Sequence, residues 1–540
     1  MKLNELLGMS RLDQERLPGK YLLWSTAPLN VEDPLDEDER RGGQQGIEEL
    51  FCEVVDRLAT TDEPQVVLHI HGFNNPKKVS YKAYLDSADF IKDRFETMGE
   101  DFVYIGYQWP SEKLFGPAAT FFSSMPRILM VLIALLIPVS ALFVLASTLV
   151  RNFPTLGGGL ALFSLLGAML LFSLPFSLFL LRALVYFRDF TRANNHGVPD
   201  IVEFVRRLEL ALCARGYDKQ VRQGSRQRVR MSVVGHSMGS VVTTNMVRIL
   251  SDAFKPSGVG ENPCSEDDSD KDKSPGSELG ETLELSRLIL VSPDLPAEML
   301  MTRRANYLAS SLRRFKEAYL FTNEGDVVVH YIAGLANYFS LPTRTRARSY
   351  RLANVMIDSD EYGIVNRESF DVHGRIQPIE DFLKLLRVGD LSFLRLEELK
   401  QGEEPPGEIF ATKFTYFDCT DYVEGDRSFL SYASRRRAIG FSEKTKLLVF
   451  YLLGMPKRWH RDVHSGYFDS EAQTARTLIF GLACLGMNRL LAHLDPEPGN
   501  RWAALSVECE KHGIQVLLSP RTDERVVLGN LAVVRKIGGP

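Results

Sequence analysis

Short apolar runs bounded by turn residues alternate along this chain with stretches of helical periodicity. YLLWSTA (21–27) reads as a first short strand and the acidic VEDPLDEDERRGGQQG (31–46) as loop. IEELFCEVVDRLA (47–59) has helical spacing, QVVLHIHG (65–72) is a buried strand, and SYKAYLDSADFIKDRF (80–95) is a helix. DFVYIGYQWPS (101–111) is a strand ended by Pro110, and VPDIVEFVRRLELALCARG (198–216) is a helix. VRMSVVGHSMGSVV (229–242) then reads as strand, sharp turn and helix start. LSRLILVSPD (285–294), FKEAYLFTNEGD (315–326) and KFTYFDCTDY (413–422) are further strands. EKTKLLVFYLLG (443–454) and a stretch near 471–494 are helical, and a short α/β tail closes the chain. This alternation predicts an α/β fold with a mostly parallel sheet flanked by helices.

Two stretches depart from it. Residues 128–150 and 152–181 carry no charge, and each exceeds the roughly 20 residues that cross a bilayer as a helix. They flank one polar break, Arg151 to Thr155, so the pattern predicts a transmembrane hairpin with spans 128–150 and 156–181, kinked near Pro138 and Pro175. Arg127 precedes it and Arg182, Arg188 and Arg192 follow, against Arg151 alone in the turn. The positive-inside rule then places both flanks in the cytoplasm, which would be the inner-membrane face in a bacterium. Because β/α alternation resumes afterwards, the hairpin is an insertion within one domain, and its ends must return to nearly the same place. The expected division is 1–125 and 188–470 for two parts of one domain, 126–187 for the hairpin, and 471–540 for a C-terminal helix and small tail. KPSGVGENPCSEDDSDKDKSPGSELGETLE (255–284) is acidic and poor in apolar residues, a disordered surface loop on composition.

Composition narrows the partners. With 45% apolar and 25% charged residues the chain is globular, and a net charge of −5 with no basic face gives no sign of nucleic-acid binding. The six cysteines are scattered without a Cys-x-x-Cys pair, which argues against a zinc site and for a reducing compartment. The N-terminus lacks the apolar core of a secretory signal. No feature of the pattern specifies an oligomeric state.

The candidate chemistry sits in the Gly-His-Ser-Met-Gly turn. A serine on so tight a strand-to-helix turn has strained backbone angles, and side chains at Gly235 and Gly239 would collide with the neighbouring strand and helix. The turn lifts the hydroxyl of Ser237 above the sheet. A hydroxyl needs a base, usually histidine oriented by a carboxylate, and in such sheets the chain order is serine, acid, histidine. Asp326, past the strand 315–326, is preferred over Asp294, which lies one strand earlier. His464 in DVHSGYF follows the last strand and is preferred as base over His460, His373 and His330. An oxyanion hole needs two backbone N–H donors, expected from Met238 and Phe73. Gly72 lets the Phe73 loop come close, while His71 and Asn74 support it. This chemistry requires no metal or organic cofactor.

HGFNN after a strand, YQWPS, GHSMGS, VSPD, TNEGD, DCTDY and HSGYF, in this order, resemble a bacterial alpha/beta-hydrolase family of unknown function. The resemblance covers roughly 60–110 and 185–470. It implies an alpha/beta-hydrolase fold and a Ser237–Asp326–His464 triad, and implies no substrate. The hairpin after YQWPS, the acidic loop and the long segment before DCTDY depart from the family's pattern. The expectation is a membrane-anchored serine hydrolase acting on an ester, thioester or lipid-like acyl substrate. The alternative is a catalytically silent hydrolase fold serving as a membrane scaffold or docking protein. A two-helix channel is disfavoured because neither span carries a charge.

Overall fold

A computed structural model describes residues 6–13, 16–28, 46–73, 75–95, 102–111, 183–251, 280–296, 299, 307–334, 351–354, 413–424, 427–428, 445–449, 462–494, 501–517 and 519. Their strands are β1 (Leu7–Arg11), β2 (Lys20–Ser25), β3 (Gln65–Ile70), β4 (Val103–Gln108), β5 (Val229–His236) and β6 (Leu283–Val291). After these come β7 (Glu317–Thr322), β8 (Phe414–Asp418), β9 (Val423–Glu424), β10 (Arg427–Ser428) and β11 (Gln515–Leu517). The helices are α1 (Ile47–Thr60), α2 (Lys77–Phe95), α3 (Val198–Ala214), α4 (Tyr217–Arg222), α5 (Gly239–Ser251), α6 (Tyr307–Arg314), α7 (Gln473–Cys484), α8 (Met487–Leu494) and α9 (Arg501–Lys511).

One nine-stranded sheet runs β1-β2-β4-β3-β5-β6-β7-β8-β11, with β9 and β10 forming a small separate ribbon. From β2 to β8 all neighbours are parallel, and the edge strands β1 and β11 are antiparallel. Every residue of β3 and β4 is buried, as in a sheet covered on both faces. Successive side chains feed opposite cores. Val66, Leu68 and Ile70 of β3 join α1, α3 and α5, whereas Val67 joins α2, α7 and α8. Helix α1 shows why it packs there: Ile47, Leu50, Phe51, Val54, Val55 and Leu58 are buried, one stripe at helical spacing.

The expected α/β architecture with its mostly parallel, helix-flanked sheet is present, with local differences. LGMSR forms edge strand β1 where no strand was expected. The stretch near 471–494 is two helices, because Gly486 between them has φ +77°, a left-handed conformation that ends α7. Described residues of the C-terminal segment contribute to the main sheet and one of its cores. Residues 515–517 pair with β8, and Ala475, Leu478, Ile479, Phe480, Leu490 and Leu505 fill one of the two cores. The end of the acidic stretch is ordered, correcting the loop expected to 284: Leu283 and Glu284 open β6, and the buried Glu209 carboxylate accepts the N–H groups of Thr282 (2.7 Å) and Leu283 (2.9 Å).

The predicted spans 128–150 and 156–181 lie outside the described residues, as does 255–279. Among the described residues no helix is long and apolar enough to cross a membrane. The chain on either side of 112–182 is joined, however. Ser111 Oγ donates to Asp189 Oδ2 at 2.8 Å, in a helical run over 183–192 that continues through a π-turn (Ala193–Gly197) into α3. A Cβ on Gly197 would lie 3.1 Å from Trp109 Cβ.

Candidate active site

Ser237 sits between β5 and α5 with φ +53°, a left-handed conformation that costs a non-glycine residue on the order of 1 kcal/mol. Surrounding bonds impose it: Ser237 N–H donates to Val291 O (3.0 Å), and Ser237 O accepts from Ser240 N–H (3.0 Å) and Asp294 N–H (3.1 Å). The flanking glycines are required by close packing. A Cβ at 239 would stand 2.3 Å from Ile70 O and 2.7 Å from His71 O of the neighbouring strand's end. One at 235 would stand 2.9 Å from Thr243 Oγ1 and 3.0 Å from Ser240 Cα in α5.

The three residues expected to act together are brought together. His464 Nε2 lies 2.7 Å from Ser237 Oγ, and His464 Nδ1 lies 2.7 Å from Asp326 Oδ2. Ser237 follows β5, Asp326 follows β7 and His464 comes after β8, so parallel strands deliver all three to one edge of the sheet. Ser237 and Asp326 are buried, and His464 is 9% exposed.

Each loop is held by groups that sequence reasoning did not single out. Asp462 makes a local turn of the base loop: its Oδ1 accepts the N–H of His464 (3.3 Å) and Ser465 (2.8 Å). His236 Nε2–H donates to His464 O (3.1 Å), and Asn323 Nδ2 donates to Val463 O (2.9 Å). Asn354 Nδ2 donates to Asp326 O at 3.1 Å. Asp326 Oδ1 accepts the N–H groups of Val328 (3.1 Å) and Val329 (3.3 Å) where the following π-turn starts. Ser292 Oγ donates to Asp326 Oδ2. The Asp-x-His spacing in DVHS is a readable Asx-turn signal, whereas Asn354 and Ser292 reach the site only through folding.

The electrostatics separate His464 from its neighbours. Burial pushes His236 down to about 3, aided by the nearby His464 charge, and pushes His69 to about 3 and His71 to about 4. At His464 burial also opposes the charge, but the Asp326 carboxylate on Nδ1, with Asp462 and Asp294 more weakly, outweighs it and holds the imidazole above the usual histidine range. The neutral ring therefore carries its proton on Nδ1, toward Asp326, and leaves Nε2 to accept the Ser237 proton.

The expected oxyanion donors lie beside this set. A Cβ on Gly72 would fall 2.7 Å from Ser237 Cβ, so the loop after β3 runs against the serine. The Phe73 ring centroid is 6.4 Å from that of His464 and 5.8 Å from that of Tyr186. Neither the Phe73 nor the Met238 amide has an acceptor among the described residues. His71 stacks on Trp109 (5.0 Å, 9°), whose Nε1–H donates to His71 O at 3.0 Å. Asn74, His373 and His460 lie outside the described residues.

The alternatives that are described have other partners. Asp294 is buried but accepts the Tyr186 O–H (2.6 Å) and faces Arg351 Nε (3.4 Å), while His330 packs edge-on against Tyr331. No cluster of three potential metal ligands occurs among the described residues. No protein-family model, curated protein or solved structure matches the chain.

Proposed function

We propose that this chain is a serine hydrolase of the alpha/beta-hydrolase type that cleaves an ester, thioester or lipid-like acyl substrate through an acyl-enzyme on Ser237. The observation that carries this reading is the relay of two 2.7 Å contacts, Ser237 Oγ to His464 Nε2 and His464 Nδ1 to Asp326 Oδ2, on a serine held at φ +53°. The strand order and the loops after β5, β7 and β8 that carry these residues support the fold assignment.

His464 Nε2 takes the Ser237 proton as Oγ attacks the acyl carbon, and the resulting imidazolium is stabilised by the buried Asp326 carboxylate. The Phe73 and Met238 amides hold the oxyanion. His464 then returns its proton to the leaving group, and a water attacks the acyl-serine with His464 again as base. The reading includes the membrane hairpin at 128–181 and a cytoplasmic catalytic domain, supported by the uncharged spans and their arginine flanks. A hairpin leaving after β4 holds the site near the bilayer, which favours lipid-like substrates.

The experiment is labelling by a fluorophosphonate probe, wild type against Ser237→Ala. Labelling of wild type that the substitution abolishes supports the enzyme. Absence of labelling in folded wild type sinks it and favours a silent membrane scaffold. Loss of a nucleophilic serine costs on the order of 10⁶ in turnover, so the comparison has room to decide.

A further inference from the structure

Ser292, directly after β6, has φ +45° and is the second non-glycine residue with positive φ among the described residues, after Ser237. Its N–H donates to Phe321 O at 3.0 Å, and the side chain is fully buried. This posture, which costs a serine on the order of 1 kcal/mol, turns the hydroxyl onto the acid. Ser292 Oγ donates to Asp326 Oδ2, the oxygen that also receives His464 Nδ1–H, and lies 3.4 Å from Nδ1 itself. With Val328 and Val329 on Oδ1, the carboxylate has four donors, and Ser292 is the side chain among them that does not titrate.

Such a donor has a chemical consequence beyond satisfying a buried acid. A bare carboxylate against His464 in a dry site would hold the imidazolium so firmly that little neutral base remained at neutral pH. A hydroxyl that takes up part of the charge on Oδ2 weakens that hold while keeping the oxygen in place. The other groups facing His464 do not do this. Asp462 lies in its own turn, Asp294 is engaged by Tyr186 and Arg351, His236 stands 5.0 Å away ring to ring, and Ser237 is on Nε2.

We propose that Ser292 is a positioning residue of the triad, its O–H holding Asp326 Oδ2 against His464 and tempering the carboxylate's grip on the imidazolium. The proposal rests on the serine-hydrolase reading. Its test uses the full chain with ¹³C-labelled histidine, following the His464 resonance (assigned by its loss in His464→Gln) against pH, alongside the pH dependence of fluorophosphonate labelling. Ser292→Ala removes the hydroxyl. Ser292→Gly removes it as well and accepts φ +45° without strain, so the test survives misfolding of the alanine variant. In both, the His464 midpoint should rise by about 0.5–1 pH unit, and labelling at neutral pH should fall by up to about three- to tenfold with its acid limb displaced upward by the same amount. A midpoint unmoved in a folded variant overturns the proposal, whatever happens to the rate, because a merely structural serine would lower the rate alone. A midpoint that rises in a wild-type background that never labels sinks the hydrolase reading instead and leaves the Ser292–Asp326 linkage standing.

Discussion

Gly72→Ala is the most exacting test of the geometry around Ser237. The added methyl would lie 2.7 Å from Ser237 Cβ, 3.2 Å from Ser237 Oγ and 3.3 Å from His236 Nδ1. Ordinary carbon–carbon contact begins near 3.5 Å, so the loop or the serine must retreat by roughly 0.8 Å. Neither side yields easily. Ser237 is pinned at φ +53° by three backbone hydrogen bonds, and the loop is tied down by Trp109 on His71 O and by the Tyr84 hydroxyl, which accepts the His71 N–H at 3.0 Å. Overpacking of this kind costs about 1–3 kcal/mol of stability. Because the Phe73 amide is the next residue, a displacement approaching 1 Å should slow fluorophosphonate labelling on the order of 10²-fold. Labelling rates measured beside thermal melts check both numbers, with Gly46→Ala as control, since nothing lies within 4 Å of a Cβ there. A Gly72→Ala variant that labels within twofold of wild type would refute the close approach of this loop to the serine.

Asp326→Asn should keep the acceptor for Val328 and Val329 but lose the charge on His464 Nδ1, lowering labelling about 10³–10⁴-fold with a melting temperature within a few degrees; a loss under tenfold would count against Asp326 as the orienting acid. The buried histidines set an acid limit. His69, His71 and His236 are depressed to about 3, about 4 and about 3, so the unfolded chain binds their protons first, and stability present above pH 6.5 is lost as pH falls toward those values. By pH 5 the loss is about 2 kcal/mol per histidine, and His69→Gln should flatten the pH dependence of denaturant unfolding over this window. His464, raised, works in the opposite sense, its contribution being present below pH 6.5 and lost as pH rises through its higher folded value.

Periodicity alone carried most of the sheet. The strands at 65–72, 101–111, 229–236 and 315–326 are apolar runs buried on both faces, and local pattern suffices to mark them. Edge strand β1 escaped because only Leu7 and Met9 of LGMSR point to a core, too short an alternation to stand out. The split at Gly486 escaped because a single glycine in an apolar helical stretch signals a break only when its φ is known. For the site, the Gly-His-Ser-Met-Gly turn determined its own strain and its own glycines, since the clash at 239 involves backbone that any strand-turn-helix of this tightness brings near.

Chain order could rank Asp326 above Asp294 and His464 above His330, but it could not exclude either alternative. Both aspartates follow strands of the sheet, and both are buried. Only the folded arrangement puts one carboxylate 2.7 Å from His464 Nδ1 and hands the other to Tyr186 and Arg351. The same holds for Ser292 and Asn354, which lie 34 and 28 residues from Asp326 and meet it because adjacent parallel strands and the 351–354 turn end at one sheet edge. Sequence determined which residues carry chemistry within a few positions of a turn. Tertiary structure decided which of them share a proton, because that depends on contacts of about 3 Å between segments up to 228 residues apart, a scale on which local pattern carries no information.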